Sequence, residues 1–168
     1  MSTQTATETM EVMSVPADML ALRPVEQPLW IAIPSLAKTT ITGHTNARFH
    51  QRVTLTDVKL QKAYVFTGSG EDEMAMAIQG SNEKGTVQLQ VLEGEQPYRM
   101  LSVLCEFSSQ GPDGRLERSK VLAPRVLCEY QEPQLLKRMT WEICSEDGVD
   151  SDYNDSVIRI TADINLQI

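Results

Sequence analysis

Apolar and polar residues alternate with a period of two in one short segment after another of this chain. In "GTVQLQVLEG" (85–94), Val87, Leu89 and Val91 fall on one face and Gln88 and Gln90 on the other, which is the signature of a half-buried strand. "RVTLTDVKL" (52–60) sets Val53 and Leu55, and after a phase slip Val58 and Leu60, among polar neighbours. Similar runs occur at "PLWIAIP" (28–34), "YRMLSVLCEF" (98–107), "SKVLAPRVLCEY" (119–130), "LLKRMTWEIC" (135–144) and "SVIRITADI" (156–164). Turn chemistry separates them in "TGSGED", "GSNEKG", "SSQGPDG" and "QEP", where Gly, Pro, Asn, Asp and Ser gather. "EMAMAI" (73–78) has helical propensity but is too short to decide between helix and strand. Strands at this spacing, with no long segment of period 3.6, predict an all-β fold, an antiparallel β-sandwich, Greek-key-like, of roughly nine strands.

The alternating texture begins only after a stretch of different composition. Residues 1–25 are rich in Thr, Ser and Glu, carry Pro16 and Pro24, and hold no period; they predict a flexible or loosely attached N-terminal arm. Residues 26–168 form the expected sandwich domain, and 168 residues suit one domain with a tail. With 41% hydrophobic but only 5% aromatic residues, aliphatic side chains must do most of the packing. The formal net charge of −8 argues against nucleic acid, which needs clustered Lys and Arg, and against an anionic membrane surface. No run approaches the roughly 18 apolar residues that cross a bilayer. "MSTQTATETMEVMSV" has neither a basic n-region nor an apolar h-region, so synthesis in the cytoplasm without a signal peptide is expected, with release or a cell-surface location by another route left open. Cys105, Cys128 and Cys144 form no disulfide framework or zinc pattern; "SVLCEF", "RVLCEY" and "WEICSE" predict buried thiols in strands.

One segment stands apart. "SEDGVDSDYNDSV" (145–157) crowds Glu146, Asp147, Asp150, Asp152, Asn154 and Asp155 into the loop between the last two predicted strands. Such like charge repels itself unless something offsets it. Hard oxygen donors at alternating positions suit calcium, which accepts six to eight oxygens in loose geometry; with no thiol or imidazole in the segment, zinc is disfavoured. Asp150, Asp152 and Asn154 match the opening ligand positions of an EF-hand loop, but Asp155 stands where that loop requires Gly and Thr161 where it requires Glu, so the segment is not an EF-hand. A solvated acidic turn without metal is the competing reading. Gly148, which permits a tight path, and the strand "SVIRI" that anchors Asn154 and Asp155 favour metal.

"EDGVDSDYNDSV" closely resembles the signature of the bacterial calcium-dependent fucose- and mannose-binding lectins, the family that uses two adjacent calcium ions. "GTVQLQVLEGEQP" is similar to that family's alternating strand and hairpin, and "NARF" (46–49) echoes its early strand. The resemblance implies that Glu146, Asp150, Asp152 and Asp155 hold one calcium, and that Asp152, Asn154 and Asp155 reach the second, with Asp152 and Asp155 bridging. Asp147 would accept a hydrogen bond from a sugar hydroxyl, and Asp147, Asp150, Asp152 and Asp155 would together face the carbohydrate. The implied activity is non-enzymatic: a lectin that ligates vicinal hydroxyls of a monosaccharide or glycan terminus through two Ca2+ ions, as a homodimer or homotetramer. The alternative is a structural or protein-interaction sandwich with a single stabilising calcium and no sugar binding.

The chain departs from that family at several points. The family also uses an Asn from an early loop and the terminal carboxylate of a partner subunit ending in Gly. This chain ends "TADINLQI", finishing in Ile168, and Asp57 or the 67–72 loop is the expected early-loop contributor. Elsewhere, His44 and His50 lack the i, i+4 spacing of a helical zinc site, and "TGSGED" lacks the spacing of a nucleophile elbow. Trp141 sits in an alternating segment and predicts a core residue. A carboxylate pair could run glycoside hydrolysis, but the general acid would need a raised pKa that bound metal opposes. An enzyme is not expected.

Overall fold

The computed structural model describes residues 23–94, 96–132, 135–148 and 150–164. The arm read over residues 1–25 lies outside the described residues except at its last three. There Pro24 bridges Leu122 and the Val25 N–H donates to the Val121 carbonyl at 2.8 Å.

Eleven strands make the fold among the described residues, three of them only two residues long: β1 (Leu29–Pro34), β2 (Lys38–Asp57), β3 (Lys62–Ala75), β4 (Ala77–Ile78), β5 (Thr86–Leu89), β6 (Tyr98–Ser108), β7 (Glu117–Arg118), β8 (Lys120–Val121), β9 (Arg125–Glu132), β10 (Leu135–Glu146) and β11 (Ser156–Asp163). Every pairing is antiparallel, in the order β1-β6-β2-β11-β10-β8, with β3 and β5 also on β2 and β9 also on β10. Among the described residues there is no helix. The all-β antiparallel architecture is therefore the one that the alternation predicts.

Strand β2 organises the rest. Its N-terminal half pairs with β5 and β11 (Thr39↔Leu89, Thr45↔Ser156), and its C-terminal half with β6 and β3 (Val53↔Cys105, Asp57↔Lys62). Ile, Val, Leu and Thr suit an extended, half-buried strand, and here the odd-numbered positions from Thr39 to Asp57 turn inward, with Phe49 the exception. The curled sheet thereby closes on one core, in which Ile33, Ile41, Leu55, Phe66, Leu101 and Ile158 are fully buried. Gly43 is needed where the layers meet most closely: a Cβ there would stand 2.8 Å from Ile158 Cδ1 and 2.9 Å from Phe66 Cδ1.

Several expectations need correction. "TGSGED" does not reverse the chain; it lies inside β3, at a bulge where Gly70, Asp72 and Glu73 adopt positive φ. Bulges and turns draw on the same residue types, so composition could not separate them. "EMAMAI" is extended, with Met76 and Ile78 inward and buried. Val58 and Leu60 are exposed because β2 stops at Asp57: the phase slip marks the end of a strand. Of the three thiols only Cys105 is buried; Cys144 is half-buried, and Cys128 is exposed on β9. Trp141 is in the core as expected.

Asp57 has a structural task of its own. It is fully buried against Arg99 of β6, whose Nε donates to Asp57 Oδ2 at 2.9 Å and whose Nη2 donates to the same oxygen. Arg99 Nη1 donates to the Gln90 carbonyl, and the Leu60 N–H donates to Asp57 Oδ1 at 3.0 Å. The pair ties the end of β2 to β6 and to the segment before it, satisfying both charges in place. Breaking such a pair leaves a lone buried charge. Asp57→Ala is expected to destabilise the chain by about 3–5 kcal/mol in urea unfolding, and the double variant Asp57→Leu/Arg99→Met by much less; a single-variant loss below about 1 kcal/mol would contradict this role.

Candidate metal centre

Strands β10 and β11 pair up to Ser145↔Ser156, whose hydroxyl oxygens are 2.5 Å apart and buried. The next residue on each strand is acidic: Glu146 on β10 and Asp155 leading into β11, both buried. The intervening chain turns back sharply, because Ser151 (φ 58°) and Tyr153 (φ 51°) take the left-handed conformation on either side of Asp152. This backbone is uncommon for residues other than Gly, Asn and Asp and is held only where surroundings enforce it. Tyr153 is buried, which anchors the turn. Carboxylate oxygens of Glu146, Asp152 and Asp155 consequently lie within 4.8 Å of one another.

Backbone amides fix the acids in position. The Gly148 N–H donates to Glu146 Oε1 at 2.8 Å, the Tyr153 N–H to Glu146 Oε2 at 3.2 Å, and the Asp147 N–H to Asp155 Oδ2 at 2.7 Å. Strand β2 supplies the facing wall through a double register shift against β3 between Thr45 and Gln51. There the Asn46 N–H donates to the Asp155 carbonyl at 3.1 Å, and Asn46 Nδ2 donates to the Asn154 carbonyl at 3.3 Å. Asn46 Oδ1 accepts the Glu73 N–H at 2.6 Å. Gln51, fully buried, donates through Nε2 to Asp147 Oδ2 at 2.5 Å, while its Oε1 has no partner among the described residues. A cavity of about 400 Å³ opens here, lined by Asn46, Ala47, Arg48, Phe49, Glu71, Asp147, Asp150 and Asp155.

The electrostatics are one-sided. Burial pushes the Glu146 carboxyl up to about 7, aided by hydrogen-bonded contact with Asp155 and Asp150 and opposed by the Gly148 and Tyr153 amides. Burial likewise raises Asp155 to about 6, with the charge of Asp147 adding to it. Asp147 is raised by burial and by the neighbouring Glu146 and Asp150 charges, against the hydrogen bonds from Asp155 and Gln51. Among the described residues no ion pair involves an acid of this loop, and Arg48 on the cavity rim pairs instead with Glu71 at 3.1 Å. An all-oxygen donor set with Glu146 and Asp155 buried, Asp152 exposed and no ion pair among the described residues fits a hard divalent cation of loose geometry, which is calcium before magnesium or zinc.

The expected site residues divide accordingly. Glu146, Asp152 and Asp155 converge; Asp150 and Asp147 line the adjoining cavity; Asn154 meets Asn46 through its carbonyl. Asp57 does not take part. It lies six positions along β2 from Gln51, about 20 Å at strand rise, locked to Arg99. Of the 67–72 loop only Glu71 reaches the cavity. The early-strand contact is Asn46, in the "NARF" segment, and Gln51 is a second contact that the reading of the sequence passed over. The one available signal was a lone Asn interrupting the Thr-rich alternation of "TTITGHTNARF".

The model of the fucose-binding lectin II (PA-IIL) family matches residues 31–164. Among solved structures, the Chromobacterium violaceum lectin CV2L in complex with alpha-methyl-fucoside aligns with a TM-score of 0.54 at 23% identity, covering 81% of this chain and 96% of that one. The Ralstonia solanacearum high-affinity mannose-binding lectin aligns at 0.57 with 20% identity, covering 82% and 96%. The C-terminal domain of the Burkholderia cenocepacia lectin BC2L-C aligns at 0.53 with 22% identity, covering 82% and 97%. At these identities the structures establish a shared fold. No curated protein sequence matches the chain.

The raised carboxyls set a pH dependence for the metal-free protein. Folded Glu146 and Asp155 keep protons that the unfolded chain has already lost, so their contribution is present below the unfolded values near 4.5 and 3.8 and is lost as pH rises toward 7 and 6. In excess chelator, melting temperature should fall between pH 5 and pH 7.5, and Glu146→Gln should flatten that decline. A wild-type melting temperature that rises over this interval, with Glu146→Gln behaving alike, would contradict the placement of these acids.

Proposed function

Because the chain belongs to the fucose-binding lectin II (PA-IIL) family, we propose that it is a calcium-dependent lectin that holds the terminal monosaccharide of a glycan at the mouth of the β10–β11 hairpin. A lectin binds carbohydrate and does not transform it, and no catalytic role is assigned to any residue. The observation that carries the calcium reading is the convergence of Glu146, Asp152 and Asp155 within 4.8 Å, with no basic partner among the described residues. The sugar class is supported by two proteins of the same fold, one in complex with alpha-methyl-fucoside and one a mannose-binding lectin.

In this reading Glu146, Asp150, Asp152 and Asp155 hold one ion, and Asp152, Asn154 and Asp155 reach a second. Asn46 is the early-strand residue that contacts this stretch, through its hydrogen bonds to the Asn154 and Asp155 carbonyls. Calcium, when bound, supplies positive charge and open coordination positions that vicinal hydroxyl oxygens can enter. The chain's own acids do the rest: Asp147 and Asp150, on the cavity wall, accept hydrogen bonds from sugar hydroxyls. Bonds to ionised acceptors are stronger than neutral ones. Gln51 keeps Asp147 turned into the cavity by donating to one of its oxygens.

One observation favours a narrower reading. The metal-holding group that stands assembled among the described residues is a single cluster of three acids, which would serve one stabilising calcium with no sugar binding. The two readings separate on titration calorimetry of the full chain. The lectin reading predicts two Ca2+ per chain, and binding of methyl α-fucoside or methyl α-mannoside that excess chelator abolishes. Asp152→Ala should lose both metal and sugar. Asp147→Asn should keep calcium and weaken the sugar by about tenfold or more, the loss of a charged hydrogen bond. Calcium-dependent stability without any sugar heat would establish the stabilising ion instead.

A further inference from the structure

We propose that Phe49 forms a second contact for the glycan, an apolar wall that receives the C–H face of the sugar unit next to the one at the acidic loop. This rests on the lectin reading above. The parity of β2 singles the residue out. Its odd-numbered positions are buried from Thr39 to Asp57, yet Phe49, in the same parity, is 40% exposed. Arg48 and Phe49 are exposed consecutively, which a regular strand, alternating between its faces, does not do. The register shift between Ala47 and Gln51 accounts for it, turning the ring out of the core and onto the wall of the cavity that Asp147, Asp150 and Asp155 share.

The ring is also held. Phe107 of β6 stacks against it with centroids 6.1 Å apart and planes inclined by 14°, an offset arrangement that aromatic pairs prefer. The chain has only three phenylalanines, and Phe66 is fully buried. Leaving another partly in water beside a cluster of carboxylates forgoes burial that the core could use. The juxtaposition matches the two-sided chemistry of a pyranose, whose hydroxyls are polar and whose C–H face is apolar. Acids and metal take the hydroxyls of the terminal unit, and the fixed ring takes the apolar face of its neighbour. An apolar peptide is a poor occupant, since it would strip water from Asp147 and Asp150 without returning hydrogen bonds.

The test uses the calcium-loaded full chain and calorimetry. The probes are the methyl glycoside of fucose or mannose, whichever binds, and an α-linked disaccharide with the same terminal unit. Wild type should prefer the disaccharide by about tenfold, the scale of covering half an exposed aromatic ring. Phe49→Ala should remove the preference while leaving methyl-glycoside affinity within about twofold and calcium binding intact. Phe49→Trp should keep the preference. Phe49→Leu guards against a folding defect: it retains apolar volume but lacks a flat face, and should lose the preference together with the upfield ring-current shift of the second unit's C–H protons in NMR. Methyl-glycoside binding with no disaccharide preference, or a preference that survives both Phe49→Ala and Phe49→Leu, overturns this inference and leaves the lectin reading standing. Failure of every saccharide to bind the calcium-loaded chain overturns both.

Discussion

Glu146 and Asp155 face each other at the end of a hairpin, buried, with no basic side chain among the described residues to answer them. Backbone amides from Asp147, Gly148 and Tyr153 hold the two carboxylates still. They do not discharge them, and burial accordingly lifts both pKa values. Charge placed in low dielectric and left uncompensated is unfavourable to folding, so the arrangement suits a cation, which is what the proposed calcium reading supplies. The same chain shows the other solution at the C-terminal end of β2. Asp57 is at least as deeply buried, but Arg99 satisfies it, and nothing further is needed there. One buried acid is closed by the protein, and the other set is left open.

The open set depends on long-range architecture. Strand β2 runs through both halves of the curled sheet, and its irregular middle section faces the hairpin mouth. Three consequences share that one irregularity. Asn46 reaches the backbone of Asn154 and Asp155, Phe49 leaves the core, and Gln51 is brought under Asp147. Oε1 of Gln51, without a partner among the described residues, is a polar atom in a place where unsatisfied groups are rare. A bulge in one strand thereby supplies a polar wall, an apolar wall and a support for the acidic loop.

Much of this was legible beforehand. Alternation in 85–94, 98–107 and 135–144 identified β5, β6 and β10, although β5 ends at Leu89 and leaves Val91, expected on the same buried face as Val87 and Leu89, exposed. The acidic loop was legible because its charge density is local. The N-terminal half of β2 and most of β3 were not, since Thr, Gly, His and acidic residues fill positions where Ile or Val would have marked a strand. Asn46 and Gln51 were illegible for a deeper reason. Their approach to residues about a hundred positions away depends on a register shift between two strands, an irregularity that interrupts the pairing and re-aims side chains. Asp57 drew attention as a lone acid near the expected place, and only the position of Arg99 across the sheet gives it another task.

The central claim is that a cation completes the carboxylate cluster. Anomalous diffraction from crystals of the full chain grown with millimolar Ca2+ at neutral pH tests it most directly. The account predicts an anomalous peak enclosed by the side chains of Glu146, Asp152 and Asp155, absent from crystals grown with chelator. Ordered density without anomalous signal among those three carboxylates, with calcium abundant in the mother liquor, would contradict it.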